Sequence, residues 1–209
     1  MAAAPLASTL APALAVLDYA GIAVFATSGA LLAAEKRQTL VTFVFFAVAT
    51  GVGGGTTRDL LIGAPVFWVD QNATLLICFL AALAVWLAPR GMWGGRALLW
   101  FDAVGLAAYA TYGAAKALAF DVAPIPAFGL GVLTACLGGI VRDLLAGEPS
   151  ILMRPELYVT AAALSSGLTV GLWLAGLPGL AAGAVAAIAG FALRAAAIRG
   201  GLALPTYRR

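Results

Sequence analysis

Gly54-Gly55-Thr56-Thr57-Arg58-Asp59-Leu60-Leu61-Ile62-Gly63-Ala64-Pro65 returns 84 residues later as Gly138-Gly139-Ile140-Val141-Arg142-Asp143-Leu144-Leu145-Ala146-Gly147-Glu148-Pro149. The same shift, without a gap, aligns Asp18-Tyr-Ala-Gly21-Ile-Ala-Val-Phe25-Ala-Thr27-Ser28-Gly29-Ala30 with Asp102-Ala-Val-Gly105-Leu-Ala-Ala-Tyr109-Ala-Thr111-Tyr112-Gly113-Ala114, seven of thirteen positions being identical. Chance matching of alanines does not produce a repeated GGxxRDLLxGxP. The chain is two related halves, and the next question is what each half is made of.

Of its 209 residues 63% are hydrophobic and 10% charged, against about 45–50% and 25% in a soluble domain. Mean hydropathy is +1.03, and the apolar runs recur from Leu10 to Ile198 with polar breaks between them. Barrel strands would be about ten alternating residues, whereas these runs are longer and apolar on all sides. At about 20 residues per helical crossing, the sequence predicts spans near 12–34, 39–63, 72–88, 97–119, 124–147, 156–176 and 179–199. The expectation is an all-α membrane protein with a single transmembrane domain over 1–209: repeat 1 at about 12–88, repeat 2 at about 97–176, and a seventh helix at about 179–199. Three crossings per repeat is an odd number, so the two copies enter the membrane from opposite sides as an inverted repeat.

Composition also removes chemistry. With no histidine and two cysteines, zinc, haem and histidine-based triads lose their usual residues. No nucleophile–base pair is visible, so the sequence predicts no enzyme, no cofactor, and no metal beyond permeating monovalent cations. Cys78 and Cys136 lie inside apolar runs and read as small buried side chains. The basic residues are dispersed, without the clustered face that nucleic-acid binding needs. They read instead as topology signals. With the N-terminus outside, ten of them (Lys36, Arg37, Arg90, Arg96, Arg142, Arg154, Arg194, Arg199, Arg208 and Arg209) fall inside, and only Arg58 and Lys116 outside. The positive-inside rule then gives an N-out, C-in inner-membrane protein. Met1 to Ala15 carries no basic residue, so it lacks a signal peptide's n-region and the first span is expected to stay.

Span 2 of each repeat carries the unusual residues. Gly51, Gly53, Gly54 and Gly55 crowd span 2, and Gly131, Gly138 and Gly139 sit in span 5, although a glycine in a helix interior costs about 1 kcal/mol relative to alanine. One reading is a kink or break at mid-membrane whose freed carbonyls line a polar site; the other is close helix approach. Thr27, Ser28, Thr111, Tyr112, Thr50 and Thr134 recur at the repeat offset and suggest a hydroxyl-lined path, although each hydroxyl can also bond back to its own helix. Phe25 and Tyr109 correspond, either as a plug or as packing. Arg58-Asp59 with Asp18, and Arg142-Asp143 with Asp102, are expected to form two charged clusters on opposite sides. These either pin the helices or line gating vestibules. Lys116 reads as a lone, snorkelling lysine.

The doubled GGxxRD segments, the D-x-x-G-[IL]-A starts and the three-plus-three-plus-one layout resemble the prokaryotic branch of the trimeric intracellular cation (TRIC) channels. That family has also been labelled putative glycine transporters. The resemblance covers nearly the whole chain. It implies a homotrimer in which each protomer has its own pore, lined by helices 1, 2, 4 and 5 with kinks at the glycines, and passes potassium and sodium. Partners are then the chain itself, membrane lipids and the permeating cations, with no nucleic acid. The alternative is a secondary transporter of a small solute such as glycine, since inverted repeats serve both. Small-residue faces at Gly167-x-x-x-Gly171 and Gly179-x-x-x-Gly183 are expected to pack within the protomer. Gly21, Gly29, Gly105 and Gly113 offer further small faces for contacts between subunits.

Overall fold

The computed structural model describes residues 4–89, 92–93, 96–177 and 179–207, with side chains from Asp18 onward. Arg90, Arg208 and Arg209, three of the residues used for topology, lie outside the described residues. The helices are α1 (Ala4–Glu35), α2 (Leu40–Leu61), α3 (Asn72–Leu87), α4 (Ala97–Ala119), α5 (Pro124–Leu145), α6 (Val159–Leu174) and α7 (Gly179–Gly200), with a 3-10 turn at Ile151–Met153 before α6. Helices α2, α5 and α7, each of 22 residues, are long and apolar enough to cross a bilayer. Helices α3 and α6 have 16 residues each, about 24 Å at 1.5 Å per residue, and so are shorter than the expected spans. Val41, Ile125, Leu76 and Ile188 are exposed on the outer surface, which is the lipid side of such a bundle.

The repeated LLxGxP is a helix stop. Gly63 and Gly147 adopt φ of 67° and 66°, the left-handed conformation that ends a helix with least strain at glycine. Around them the N–H of Ala64 bonds to the carbonyl of Asp59 at 2.9 Å, and that of Glu148 to the carbonyl of Asp143 at 3.0 Å. Pro65 and Pro149 follow, unable to continue the turn. The aspartates carry the motif further, since Asp59 Oδ2 accepts the N–H of Phe67 at 3.2 Å and Asp143 Oδ2 that of Ile151 at 2.8 Å. Both loops are therefore tied back to their helix ends at the same offset.

The halves, α1–α3 and α4–α6, meet through α1 against α4 and α2 against α5, and α7 covers α4 and α6. The expected unwinding at the glycines does not occur. Helices α2 and α5 run α-helical through every glycine of Gly51–Gly55 and Gly138–Gly139. A glycine in a helix costs about 1 kcal/mol, whereas each backbone group freed in a membrane costs several, so the hydrogen-bond ladder is kept. The glycines serve close approach: a Cβ on Gly54 would collide with the carbonyl oxygen of Thr134, and one on Gly138 would stand 2.6 Å from that of Thr50.

The small faces offered for subunit contacts are also used within the protomer. Gly21 receives the ring of Tyr109 and Gly105 that of Phe25, while Gly29 faces Thr50 and Gly113 faces Thr134. All four glycines are buried. Gly183 meets Thr111, Gly190 meets Ser165 and Gly167 meets Phe128, so these faces pack within the protomer, whereas Gly171 is exposed and, against the expectation, touches nothing there.

Candidate functional site

At the centre, Phe25 and Tyr109 pack with ring centroids 5.2 Å apart, each seated in the glycine notch of the other's helix. Both are buried, and the Tyr109 hydroxyl donates to the carbonyl of Gly51 at 3.3 Å. Beside them lie the reciprocal contacts of Gly54 with Thr134 and Gly138 with Thr50. Thr50 and Thr134 are 1% and 0% exposed. The rings and the backbone crossing fill the space between α1, α2, α4 and α5.

The expected hydroxyl lining is only partly brought together. Thr134 donates to Leu130 O at 2.6 Å, Thr27 to Ala23 O at 2.7 Å and Ser28 to Phe25 O at 2.9 Å, each bonding back along its own helix. Thr50 Oγ1 has no partner among the described residues. Thr111 turns its methyl group to Gly183 of α7, and its Oγ1 has no partner among the described residues. Gly53 is peripheral, its nearest neighbour being Val141 at 3.9 Å from a built Cβ. Gly55 packs on Phe67, and Gly139 on Tyr158.

The charged residues assemble at the two ends of this core. At one end Arg58 and Asp59 are fully buried and paired, with Nη2 to Oδ1 at 2.7 Å. Lys116, which the sequence reading left in isolation, donates to the same Oδ1 at 2.8 Å. Asp18 joins indirectly: it accepts from the Tyr112 hydroxyl at 3.2 Å, and the Arg58 guanidinium lies 4.9 Å over the Tyr112 ring. At the other end Arg142 donates through Nε and Nη2 to Asp143 at 2.9 and 2.8 Å. Its Nη1 bonds Asp102 Oδ1 at 2.7 Å and Ser28 Oγ at 3.2 Å. Ser28 and Tyr112 are repeat counterparts, so each arginine leans on the same position of the opposite half.

A cavity of about 290 Å³ opens beside the Arg142 cluster, lined among others by Leu32, Leu98, Arg142, Asp143, Glu148 and Arg154. Lys36 and Glu148 form an exposed salt bridge at this end. The lysine holds the Glu148 carboxyl below its ordinary 4.5 by hydrogen bonding and charge. Sequence reasoning also missed Arg194, which is 1% exposed, pairs with Glu156 at 2.7 Å and lies 5.4 Å over the Tyr158 ring. No repeat signal marks Arg194, because α7 stands outside the symmetry.

Comparison with known proteins agrees with this architecture. The family model described as "Glycine transporter" matches twice, at residues 15–90 and 99–174, two copies separated by the same 84 residues as the motifs. A UPF0126 membrane protein of Vibrio cholerae is 36% identical over 91% of this chain and 81% of its own length. The UPF0126 inner membrane protein YadS of Escherichia coli is 35% identical over 91% and 94%. Among solved structures, the TRIC trimeric intracellular cation channel orthologue from Rhodobacter sphaeroides superposes with a TM-score of 0.85 at 41% identity, covering 91% of this chain and 99% of that one. A TRIC structure solved to explain conductance gives 0.82 at 31% identity, covering 93% and 97%. With an inverted repeat, matched loop motifs and these likenesses over nine-tenths of its length, the chain belongs to the TRIC family, among its UPF0126 bacterial membrane proteins.

Proposed function

We propose that the protein is a monovalent cation channel with a pathway inside each protomer, running between α1, α2, α4 and α5. The observation that carries this reading is the likeness to the Rhodobacter sphaeroides TRIC cation channel orthologue at 41% identity over 91% of the chain. The geometry supports it. A buried charged cluster stands at each end of the core, and between them lie the Phe25–Tyr109 pair and the reciprocal glycine contacts. The arrangement is a closed one, and opening requires α2 and α5 to separate at Gly54 and Gly138 while the rings leave their notches. Neutral hydroxyls and backbone carbonyls at Thr50 and Thr134 would then meet the ion, and oxygen dipoles of this kind discriminate potassium from sodium weakly.

In this reading the protein is a homotrimer in an inner membrane with its N-terminus outside. The Arg142 cluster and its cavity then face the cytoplasm, the side that also receives Lys36, Arg37, Arg96, Arg154 and Arg199. The trimer follows the channels named as trimeric among the structural relatives. Transport of a solute such as glycine is the second reading, favoured by the description of the matching family model. Purified protein in liposomes decides between them. The channel reading expects potassium or thallium flux that does not saturate at low millimolar concentration, with no labelled glycine uptake; saturable glycine uptake without cation flux would overturn it.

A further inference from the structure

The two charged clusters differ in their balance. At the Arg58 end two carboxylates, Asp18 and Asp59, stand with two cations, Arg58 and Lys116. At the Arg142 end two carboxylates, Asp102 and Asp143, stand with Arg142 alone, because the repeat counterpart of Lys116 is Leu32. The neighbouring cations bond elsewhere or are exposed: Arg194 pairs with Glu156 while lying over the Tyr158 ring, Lys36 pairs with Glu148, and Arg154 is exposed. Asp102 and Arg142 are each 1% exposed. The two buried carboxylates therefore share one bonded cation, an arrangement that is costly unless something compensates the second charge.

Two polar groups point to what that something is. Asp102 Oδ1 takes the arginine, but Asp102 Oδ2 has no partner among the described residues, and neither has the hydroxyl of Tyr158, itself 1% exposed. Both residues wall the notch left by the missing side chain of Gly139. A Cβ there would lie 2.7 Å from Tyr158 Oη and 3.2 Å from Asp102 Oδ1, with Arg142 Nη2 at 3.7 Å. Arg142 is itself answered by the two bonds to Asp143, so the notch keeps a net charge of minus one. The 290 Å³ cavity lies next to this notch and shares Arg142 with it, its wall also including Leu98 and Asp143; Asp102 lies one helical turn beyond Leu98 on α4.

We infer that Asp102 Oδ2 and Tyr158 Oη form a binding site for one monovalent cation, sodium or potassium, at the Arg142 end of the closed pathway. A single net negative charge next to a guanidinium suits a monovalent ion and disfavours a divalent one. The site rests on the channel reading for its role as a waiting position, and on the charge count and the two unpartnered oxygens for its existence. The symmetric position at the other end carries no such site, because Lys116 supplies the second positive charge there and Thr74 stands in place of Tyr158.

The test uses the full chain purified in detergent. Its melting temperature should rise saturably with KCl or NaCl relative to choline chloride at equal ionic strength. Tyr158→Phe should raise the half-saturating concentration at least tenfold, and Asp102→Asn should abolish the dependence. Crystals grown in rubidium or thallium salts should show an anomalous peak beside Asp102 Oδ2 and Tyr158 Oη. If Asp102→Asn does not fold, Tyr158→Phe and the anomalous peak still decide the matter. Equal melting in choline and potassium, with stabilisation on acidification instead, would mean that Asp102 carries a proton and would overturn the site, as would a peak only elsewhere. A cation-dependent melt without liposome flux would keep the site and sink the channel; flux without a cation-dependent melt would do the reverse.

Discussion

Phe25 and Tyr109 occupy each other's helices: the ring of each fills the notch at the other helix's glycine, Gly105 or Gly21, with 5.2 Å between centroids. Two rings locked across the pseudo-two-fold axis in this way hold α1 and α4 together and, in the proposed channel, obstruct the path between them. Phe25→Ala is therefore expected to do two things. Emptying a buried aromatic site costs about 3–5 kcal/mol, so the melting temperature should fall. Basal cation flux in liposomes should rise severalfold. A loss of stability with unchanged flux would leave the rings as packing alone.

Three glycines, two on α2 and one on α5, should respond differently to alanine. Alanine favours a helix by about 1 kcal/mol over glycine, and at Gly53, where the nearest atom to a built Cβ is 3.9 Å away, that gain should be kept. Gly53→Ala is expected to melt at or slightly above the wild-type temperature. Gly54→Ala drives a methyl group into the Thr134 carbonyl, and Gly138→Ala into that of Thr50, so α2 and α5 must part. Both should lose stability, by about 1–3 kcal/mol as for other overpacked sites. Thermal melts of the three variants in detergent check the order.

The two buried arginines should not be equivalent. Removing one partner of a buried ion pair typically costs about 3–5 kcal/mol, because the other charge is left uncompensated. Arg58→Ala leaves Asp59 still bonded to Lys116 at 2.8 Å, whereas Arg142→Ala leaves Asp102 and Asp143 facing each other with no cation bonded to either. Arg142→Ala is expected to be the more destabilising of the two. The double variant Arg58→Ala with Lys116→Ala should bring the Arg58 end down to a similar level. Equal melting temperatures for the two single variants would argue against this charge accounting.

The repeat explains why so much was legible. A motif written twice at a fixed offset fixes seven helices and an inverted pairing, because an odd-numbered unit duplicated in a membrane has few other solutions. It also identified Asp18, Arg58 and Asp59, with Asp102, Arg142 and Asp143, as end clusters. The continuity of α2 and α5 through the glycines is not legible in local propensity, because it rests on the cost of freeing backbone groups in lipid. Gly21 and Gly105 looked like surfaces for a second subunit because a sequence does not reveal which ring will fill a notch. Lys116 and Arg194 were passed over for the opposite reason: neither has a repeat counterpart, and a single basic residue near a span end carries no local sign of its partner.

Lys36 pairs with Glu148, which lines the cavity at the Arg142 end, and joins the end of α1 to the loop after α5. Both are partly exposed, and a pair of this kind contributes little to stability and is screened by salt. Its influence should fall on ions instead, because charges around a narrow mouth raise the local concentration of the opposite sign. The sign with pH follows from the lysine, which holds Glu148 below its ordinary 4.5. A depressed carboxylate keeps its pair at all pH values above the ordinary one and loses it as pH falls through the lowered value. Glu148→Gln is therefore expected to leave the melting temperature nearly unchanged at neutral pH and to lower cation conductance at 50 mM salt by about twofold. In 1 M salt, where the screening length is about 3 Å, the two proteins should conduct alike. Acidifying the Arg142 side of a bilayer from pH 7 to well below the ordinary carboxylate value of 4.5 should bring wild type toward the glutamine variant without affecting the variant through this residue. Single-channel recording at two salt concentrations and two pH values checks each step; a conductance deficit that persisted in 1 M salt would place the effect on the structure of the mouth rather than on its charge.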